Sequence, residues 1–168
     1  MAAWEFQALQ NVAKQNGWHQ FISMQDYHSL LYREGEREMI PYCKSTAVGL
    51  IPWSPFSRGL LTRPSKSEPT TRRNNDPFSD FLIGPTTEVD IKIIDRVEEL
   101  AKKKGVSMAT IATVWLLVKG LNPILGLGST QRVDEAVEGV KQAKAGLLTV
   151  EDMTFLDELY VPKPTQGH

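Results

Sequence analysis

Three short apolar runs set the terms for this chain. Residues 21–25, 48–53 and 123–127 each have the length and content of a strand, and each is followed by residues at helical spacing. Strand then helix, repeated, predicts parallel βα units and an α/β fold. Three parallel strands cannot close a barrel, and both outer strands keep open edges. A complete (β/α)8 barrel takes about 250 residues, against 168 here. The pattern therefore predicts either a small open sheet or part of a larger fold.

The helical segments are predicted as follows. Residues 3–16 place Phe6, Leu9, Val12 and Ala13 along one face, and Asn16-Gly17 stops the helix. Residues 36–46 read as helix, with Pro41 kinking it or shifting its start. Thr87 and Asp90 stand at capping-box spacing before a helix to Lys104, with Ile93, Ile94, Val97 and Ala101 on its inner side. Lys102 to Lys104 form its last turn, where the helix dipole favours cations. Ser107 caps a helix to Lys119 that buries Ile111, Val114, Trp115 and Val118. Further helices span 131–144 and 149–160, and the tail from Val161 is extended. The proline-rich polar stretch 63–80 is too long for an ordinary connection and reads as a functional or mobile loop.

Composition narrows the class. With 19 Lys+Arg against 20 Asp+Glu, the net charge is −1, which leaves no electrostatic footprint for nucleic acid or an anionic membrane. The single cysteine, Cys43, forms no internal disulfide. No apolar run approaches a membrane span, and the first residues lack the basic start and apolar stretch of a secretory signal. A soluble cytoplasmic protein is expected.

Ligands of parallel α/β folds bind at the C-terminal ends of the strands. Three places qualify. At the first, Gln25 precedes Asp26, Tyr27 and His28. Asp26 and His28 lack an evident third partner for acid–base work and read as a turn carboxylate and a packed or solvated imidazole. At the second, Trp53, Ser54 and Arg58 offer a flat aromatic, a hydroxyl and a cation within six residues. Trp53 is either a stacking platform or core. At the third, Gly126 and Gly128 precede a helix with Arg132 in its first turn. Free backbone N–H groups, the positive helix end and a forked cation suit an anion; the alternative is an ordinary glycine-containing turn with a surface arginine. Arg72-Arg73 is a solvated pair or a clamp over a phosphate. No metal-ligand spacing links His19, His28, His168 and Cys43.

Several segments in order carry a resemblance: Phe21-Ile-Ser-Met-Gln25, Leu30-Leu-Tyr-Arg33, Glu36-Arg-Glu-Met-Ile-Pro41, Ile51-Pro-Trp-Ser-Pro55, Arg58-Gly-Leu-Leu-Thr-Arg-Pro64 and Tyr160-Val-Pro-Lys-Pro164, with Gly167-His168 at the end. Together they resemble the aldo-keto reductase superfamily, in its aryl-alcohol-dehydrogenase-like branch. The resemblance covers essentially the whole chain. It implies one incomplete domain over residues 1–168: a partial (β/α)8 TIM barrel with strands six to eight and their helices, without the N-terminal half.

It also implies a function. The family reduces carbonyl compounds, such as aryl aldehydes, to alcohols with NADPH. Its catalytic Asp, Tyr, Lys and His match no residue of this chain, so no catalytic residue is assigned. The cofactor side is matched. By resemblance, Gln25 hydrogen-bonds the nicotinamide carboxamide and Trp53 stacks beneath the ring. Ser54, Phe56, Arg58 and Gly59 line the pyrophosphate, and Arg63 or Arg72 belongs to a loop folding over it. Gly126, Arg132 and Glu135 surround the adenosine 2′-phosphate and adenine, with Arg132 favouring NADP. Leu127, Gly128 and Ala136 depart from the family pattern. The expected function is an NADP-dependent oxidoreductase acting on a small carbonyl substrate, in fungal secondary metabolism, truncated and inactive as this chain alone. The alternative is a non-catalytic half-barrel that binds a nucleotide or a partner, with its open edges and apolar face associating with a missing half or with itself.

Overall fold

The computed structural model describes residues 1–67 and 86–165. Arg72-Arg73, most of the 63–80 stretch and Gly167-His168 lie outside the described residues. Six helices and two strands follow in order: α1 (Ala3–Gln15), β1 (Ser23–Met24), α2 (Met39–Ser45), β2 (Gly49–Leu50), α3 (Glu88–Lys104), α4 (Met108–Val118), α5 (Thr130–Lys144) and α6 (Val150–Asp157). Two 3-10 segments, Glu34–Glu36 and Ser57–Thr62, lie between them. The fold is mixed α/β.

The strands pair in parallel, with Ser23 opposite Gly49 and Met24 opposite Leu50. Each is two residues long, but the alignment continues to an isolated bridge between Tyr27 and Trp53. The N–H groups of Gly49, Ile51 and Trp53 donate to the carbonyls of Ile22, Met24 and Asp26 at 2.8, 3.0 and 2.9 Å.

The third expected strand, residues 123–127, is not a strand in this structure. The segment does run along β2: Asn122 N–H donates to Leu50 O at 2.9 Å and Ile124 N–H to Pro52 O at 2.8 Å. A parallel ladder needs a return bond to Asn122 O from the backbone N–H that lies between those two carbonyls. That donor belongs to position 52, and proline has none. The chain is aligned on one side and left unladdered on the other.

The helices share a common core with this sheet. α4 is apolar on every side, and Ile111, Val114, Trp115 and Leu116 are fully buried. It packs between α3 and α5 and against the Ser57–Thr62 segment. Gly139 brings α5 close to α4, since a β-carbon there would stand 3.5 Å from Thr113 Cγ2. Leu50, Leu61, Ile93, Val97 and Leu121 join the same core. Such a helix relies on burial for its stability rather than on amphipathic patterning.

Side-chain caps set several starts. Thr87, Ser107, Ser129 and Thr149 each accept from the N–H three residues on. Thr87 and Asp90 form the expected capping box, and α3 stops at Gly105 with φ 67°. Pro41 acts by moving a start: α2 begins at Met39, which places the proline in the first turn, where its missing N–H has no intrahelical role.

Two buried faces differ from expectation. α1 buries Phe6, Gln10 and Ala13, while Leu9 and Val12 are exposed. Gln10 is inside because its amide bonds both backbone groups of Phe21, donating to the carbonyl at 2.8 Å and accepting from the N–H at 2.8 Å. Val118, at the end of α4, is exposed. The last turn of α3 is more than solvated cations, since Lys104 pairs with Asp152 at 2.6 Å. No helix among the described residues is long and apolar enough to cross a membrane.

Candidate functional site

A cleft of about 670 Å³ opens at the C-terminal end of β2. One wall is the turn that follows the strand, with Trp53, Ser54, Phe56, Arg58, Gly59 and Arg63. The other is the segment into α5, with Gly126, Arg132 and Glu135. The structure thus brings nine of the ten expected binding residues to one space. The floor holds residues the sequence reasoning missed: Ala109, Thr110 and Thr113, from the first half of α4. Strand-end logic points away from a core helix, and no local signal marks them.

The turn after β2 is held in a left-handed conformation. Ser54, Ser57, Arg58 and Gly59 have φ of 56°, 45°, 54° and 95°. Three of these are not glycine, and such backbone persists only where surrounding contacts over-determine it. Burial does so here. Ser57 is fully buried, its hydroxyl 2.7 Å from that of Ser29. Phe56 O accepts from the N–H groups of Gly59 at 2.9 Å and Leu61 at 3.2 Å. Arg63 Nε donates to Gly59 O at 3.2 Å. A β-carbon at position 59 would meet Arg63 Nη2 at 2.9 Å, so the guanidinium lies against the backbone where only glycine fits.

The opposite wall is the start of α5. Ser129 caps it by accepting from Arg132 N–H at 3.4 Å. Gly126 has open space where a β-carbon would be. Among the described residues no ion pair engages the exposed Arg132 guanidinium. Helix N–H groups, a cation able to fork, and bare backbone make this end suited to a phosphate. Across the cleft, Arg58 and Arg63 add positive charge beside the serine-containing turn. A long anionic ligand with a planar group at the Trp53 end fits the donor set.

Gln25 is not in this cleft. It lines a second cavity, of about 530 Å³, with Trp4, Asp26, Tyr27 and Glu34. Trp53 lines both spaces and is the partition between them. Its indole stacks on Tyr27, with centroids 4.7 Å apart and planes 25° from parallel. Tyr27 stacks in turn on Tyr32 at 4.6 Å and 16°. Burial raises the Tyr27 phenol above its ordinary value. Trp53 is therefore both wall and half-buried packing element.

Asp26 and His28 do not form an acid–base pair. Both Asp26 carboxyl oxygens are buried without a partner. Burial raises that carboxyl above its ordinary value, although the neighbouring His28 works the other way. His28 is fully buried, stacked on Trp115 at 5.6 Å, with Nε2 3.4 Å from Glu36 Oε1. Glu36 is the hub of a polar cluster, bonded to Arg33 at 2.7 Å and Lys119 at 2.8 Å. These groups pack α4 against the 3-10 segment and face no cleft.

Known proteins place this geometry in context. The model of the aldo/keto reductase family matches residues 2–160. The chain is 56% identical over 165 residues to a versiconal hemiacetal acetate reductase from Aspergillus parasiticus, covering 97% of this chain and 47% of that protein. It is 51% identical over 169 residues to a Schizosaccharomyces pombe protein provisionally named an aryl-alcohol dehydrogenase, covering 99% of this chain and 46% of that one. An aldo-keto reductase from Fusarium vanettenii is 41% identical over 169 residues, covering 100% of this chain and 44% of the relative. The chain spans about half the length of the curated relatives it matches. With a family match along nearly its whole length and relatives of both the aldo-keto reductase and aryl-alcohol dehydrogenase names, the chain belongs to the aldo/keto reductase family.

Proposed function

We propose that the cleft binds NADP(H) and that the chain is the cofactor-binding portion of an oxidoreductase interconverting a carbonyl compound and an alcohol. One observation carries this: Trp53, the left-handed turn through Gly59, and the Arg132 helix start share one cleft. Arg132 and the α5 N-terminus would hold the 2′-phosphate. Arg58, Arg63 and the 54–59 turn would hold the pyrophosphate, and Trp53 would stack on the nicotinamide. NADPH, when bound, supplies the hydride. This chain's residues bind and orient; the proton donor is assigned to the part of the relatives that this chain does not span. The parallel β1–β2 pair and the aligned 122–124 segment support a partial (β/α)8 barrel. The versiconal hemiacetal acetate reductase relative favours a carbonyl or hemiacetal substrate of fungal secondary metabolism.

The test is titration of the 168-residue chain with NADPH, NADH and 2′,5′-ADP, followed by tryptophan quenching. NADPH and 2′,5′-ADP are expected to bind. Arg132→Glu should weaken both about tenfold, as loss of a charge-assisted phosphate contact does, and should leave NADH within about threefold. No saturable binding of any nucleotide sinks the proposal.

A second reading is association with another polypeptide. Phe21 and Ile22 beside β1, and Val133, Val137 and Val140 along α5, are exposed apolar side chains. With this chain spanning 47% and 46% of two relatives, the occupant we favour is a polypeptide carrying the remainder of the family fold. Co-expression with such a polypeptide should yield a one-to-one complex; a homodimer or a lone chain in sedimentation would argue against it.

A further inference from the structure

The Trp53 wall is braced from the next strand. Tyr27 stands in parallel register with Trp53, bound through the Trp53 N–H to Asp26 O bond at 2.9 Å. The Tyr27 ring lies between the indole, at 4.7 Å, and the buried Tyr32 ring, at 4.6 Å. Tyr32 is itself fixed by reciprocal backbone bonds with Ser29, at 3.0 and 3.2 Å. Tyr27 lines the second cavity and not the cleft, so the cleft meets Trp53 on the surface that Tyr27 leaves open.

We propose that Tyr27 is a positioning residue of the cleft: its ring sets the plane of the Trp53 indole for stacking on a planar ligand ring. This role rests on the cleft being a nicotinamide nucleotide site. The physical basis is preorganisation. A half-buried indole without a stacked partner samples other rotamers, and ordering it on binding costs affinity. Removing the ring should therefore weaken ligands that reach Trp53 and spare those that reach only Arg132.

The experiment uses the 168-residue chain with Tyr27→Leu, which removes the stack, and Tyr27→Phe, which keeps it and removes the hydroxyl. The probes are NADPH, reduced nicotinamide mononucleotide and 2′,5′-ADP. Tyr27→Leu is expected to weaken the first two about tenfold and the third by less than about twofold, the scale of one aromatic stack. Tyr27→Phe keeps the stack and should leave all three probes within about twofold of the parent. Equal loss for all three probes in Tyr27→Leu, or none, overturns the proposal. A second readout needs no nucleotide: the emission of Trp53, obtained by subtracting the matching Trp53→Phe form. It should shift to longer wavelength in Tyr27→Leu and hold in Tyr27→Phe. An unchanged Trp53 component in Tyr27→Leu overturns the positioning role. If the parent chain binds no probe while Tyr27→Leu still shifts the Trp53 emission, the nucleotide site is overturned and the bracing of Trp53 upheld.

Discussion

Asp26 and Gly35 meet so closely that a β-carbon at position 35 would stand 2.6 Å from Asp26 Oδ2. The carboxyl is pressed into the wall with neither oxygen hydrogen-bonded, and burial raises its pKa above the ordinary 3.8. The sign follows. The unfolded chain loses this proton first, so the contribution of neutral Asp26 is full below pH 3.8 and is lost as pH rises through the folded value. Asp26→Asn has no such proton. Its melting temperature should exceed the parent's by a margin that grows between pH 4 and pH 7. A margin that is constant across that range would show Asp26 to be ionised in the fold.

Glu36 makes the opposite prediction. Burial alone would raise its carboxyl, but hydrogen bonds from Arg33 and Lys119, with the His28 imidazole beside them, outweigh it and hold the group well below the ordinary 4.5. Its contribution is present above pH 4.5 and lost as pH falls through the folded value. Glu36→Gln leaves Arg33 and Lys119 partly unpaired in a site where Glu36 is only 28% exposed. A loss of about 2 kcal/mol near neutral pH is expected, since breaking a half-buried pair costs more than the pair is worth intact. Urea unfolding at pH 7 and at pH 3 checks it: the difference between parent and variant should shrink at the lower pH.

How much of this was legible beforehand varied by element. The caps of α3 and α4, the displaced start at Pro41 and the inner face of α3 follow local rules, and those rules act within one turn. The third strand failed on a residue of another strand: Pro52 withholds a donor that residues 123–127 have no way to announce. Gln10 failed likewise, since its burial depends on Phe21, 11 residues away. In the site, the βα rule names positions at strand ends, and of those residues Trp53, Ser54 and Gly126 line the cleft while Gln25 does not. Tyr27 was seen only as a neighbour of Gln25, and its stack on Trp53 needed the register of two strands. Thr110 and Thr113 belong to a helix whose apolar content reads as core throughout.

Tyr160 ties the tail to the 3-10 segment. Its hydroxyl donates to Glu34 Oε1 at 2.7 Å and accepts from Arg33 N–H at 2.9 Å. Lys163 N–H reaches the same Glu34 oxygen at 2.7 Å, and Lys163 Nζ pairs with Asp90 at 2.6 Å. Tyr160→Phe removes both hydroxyl bonds and leaves a backbone N–H and a buried carboxylate short of a partner. We expect a loss of about 1–3 kcal/mol. Native-state hydrogen exchange should show the amides of Arg33 and Lys163 losing protection together. Loss at Arg33 alone would mean that Lys163 holds the tail without Tyr160.

Gly59 offers the sharpest test of the turn in the cleft. Its φ of 95° is one that side chains rarely adopt, and the space for a β-carbon is already taken by Arg63 Nη2 at 2.9 Å. Gly59→Ala must strain the backbone or expel the guanidinium. Expelling Arg63 also breaks the bond from its Nε to Gly59 O at 3.2 Å. Stability should fall by about 1–2 kcal/mol, and NADPH affinity should fall with it, because Arg63 and the turn would hold the pyrophosphate. Gly126→Ala is the control in the same cleft. Nothing lies within 4 Å of a β-carbon there, so stability should stay within about 0.5 kcal/mol. Denaturant titration read beside NADPH binding separates the two effects. Unchanged NADPH affinity in a destabilised Gly59→Ala would mean that the left-handed turn serves the core through Ser57 and Leu61, and that the phosphates are held from the Arg132 side.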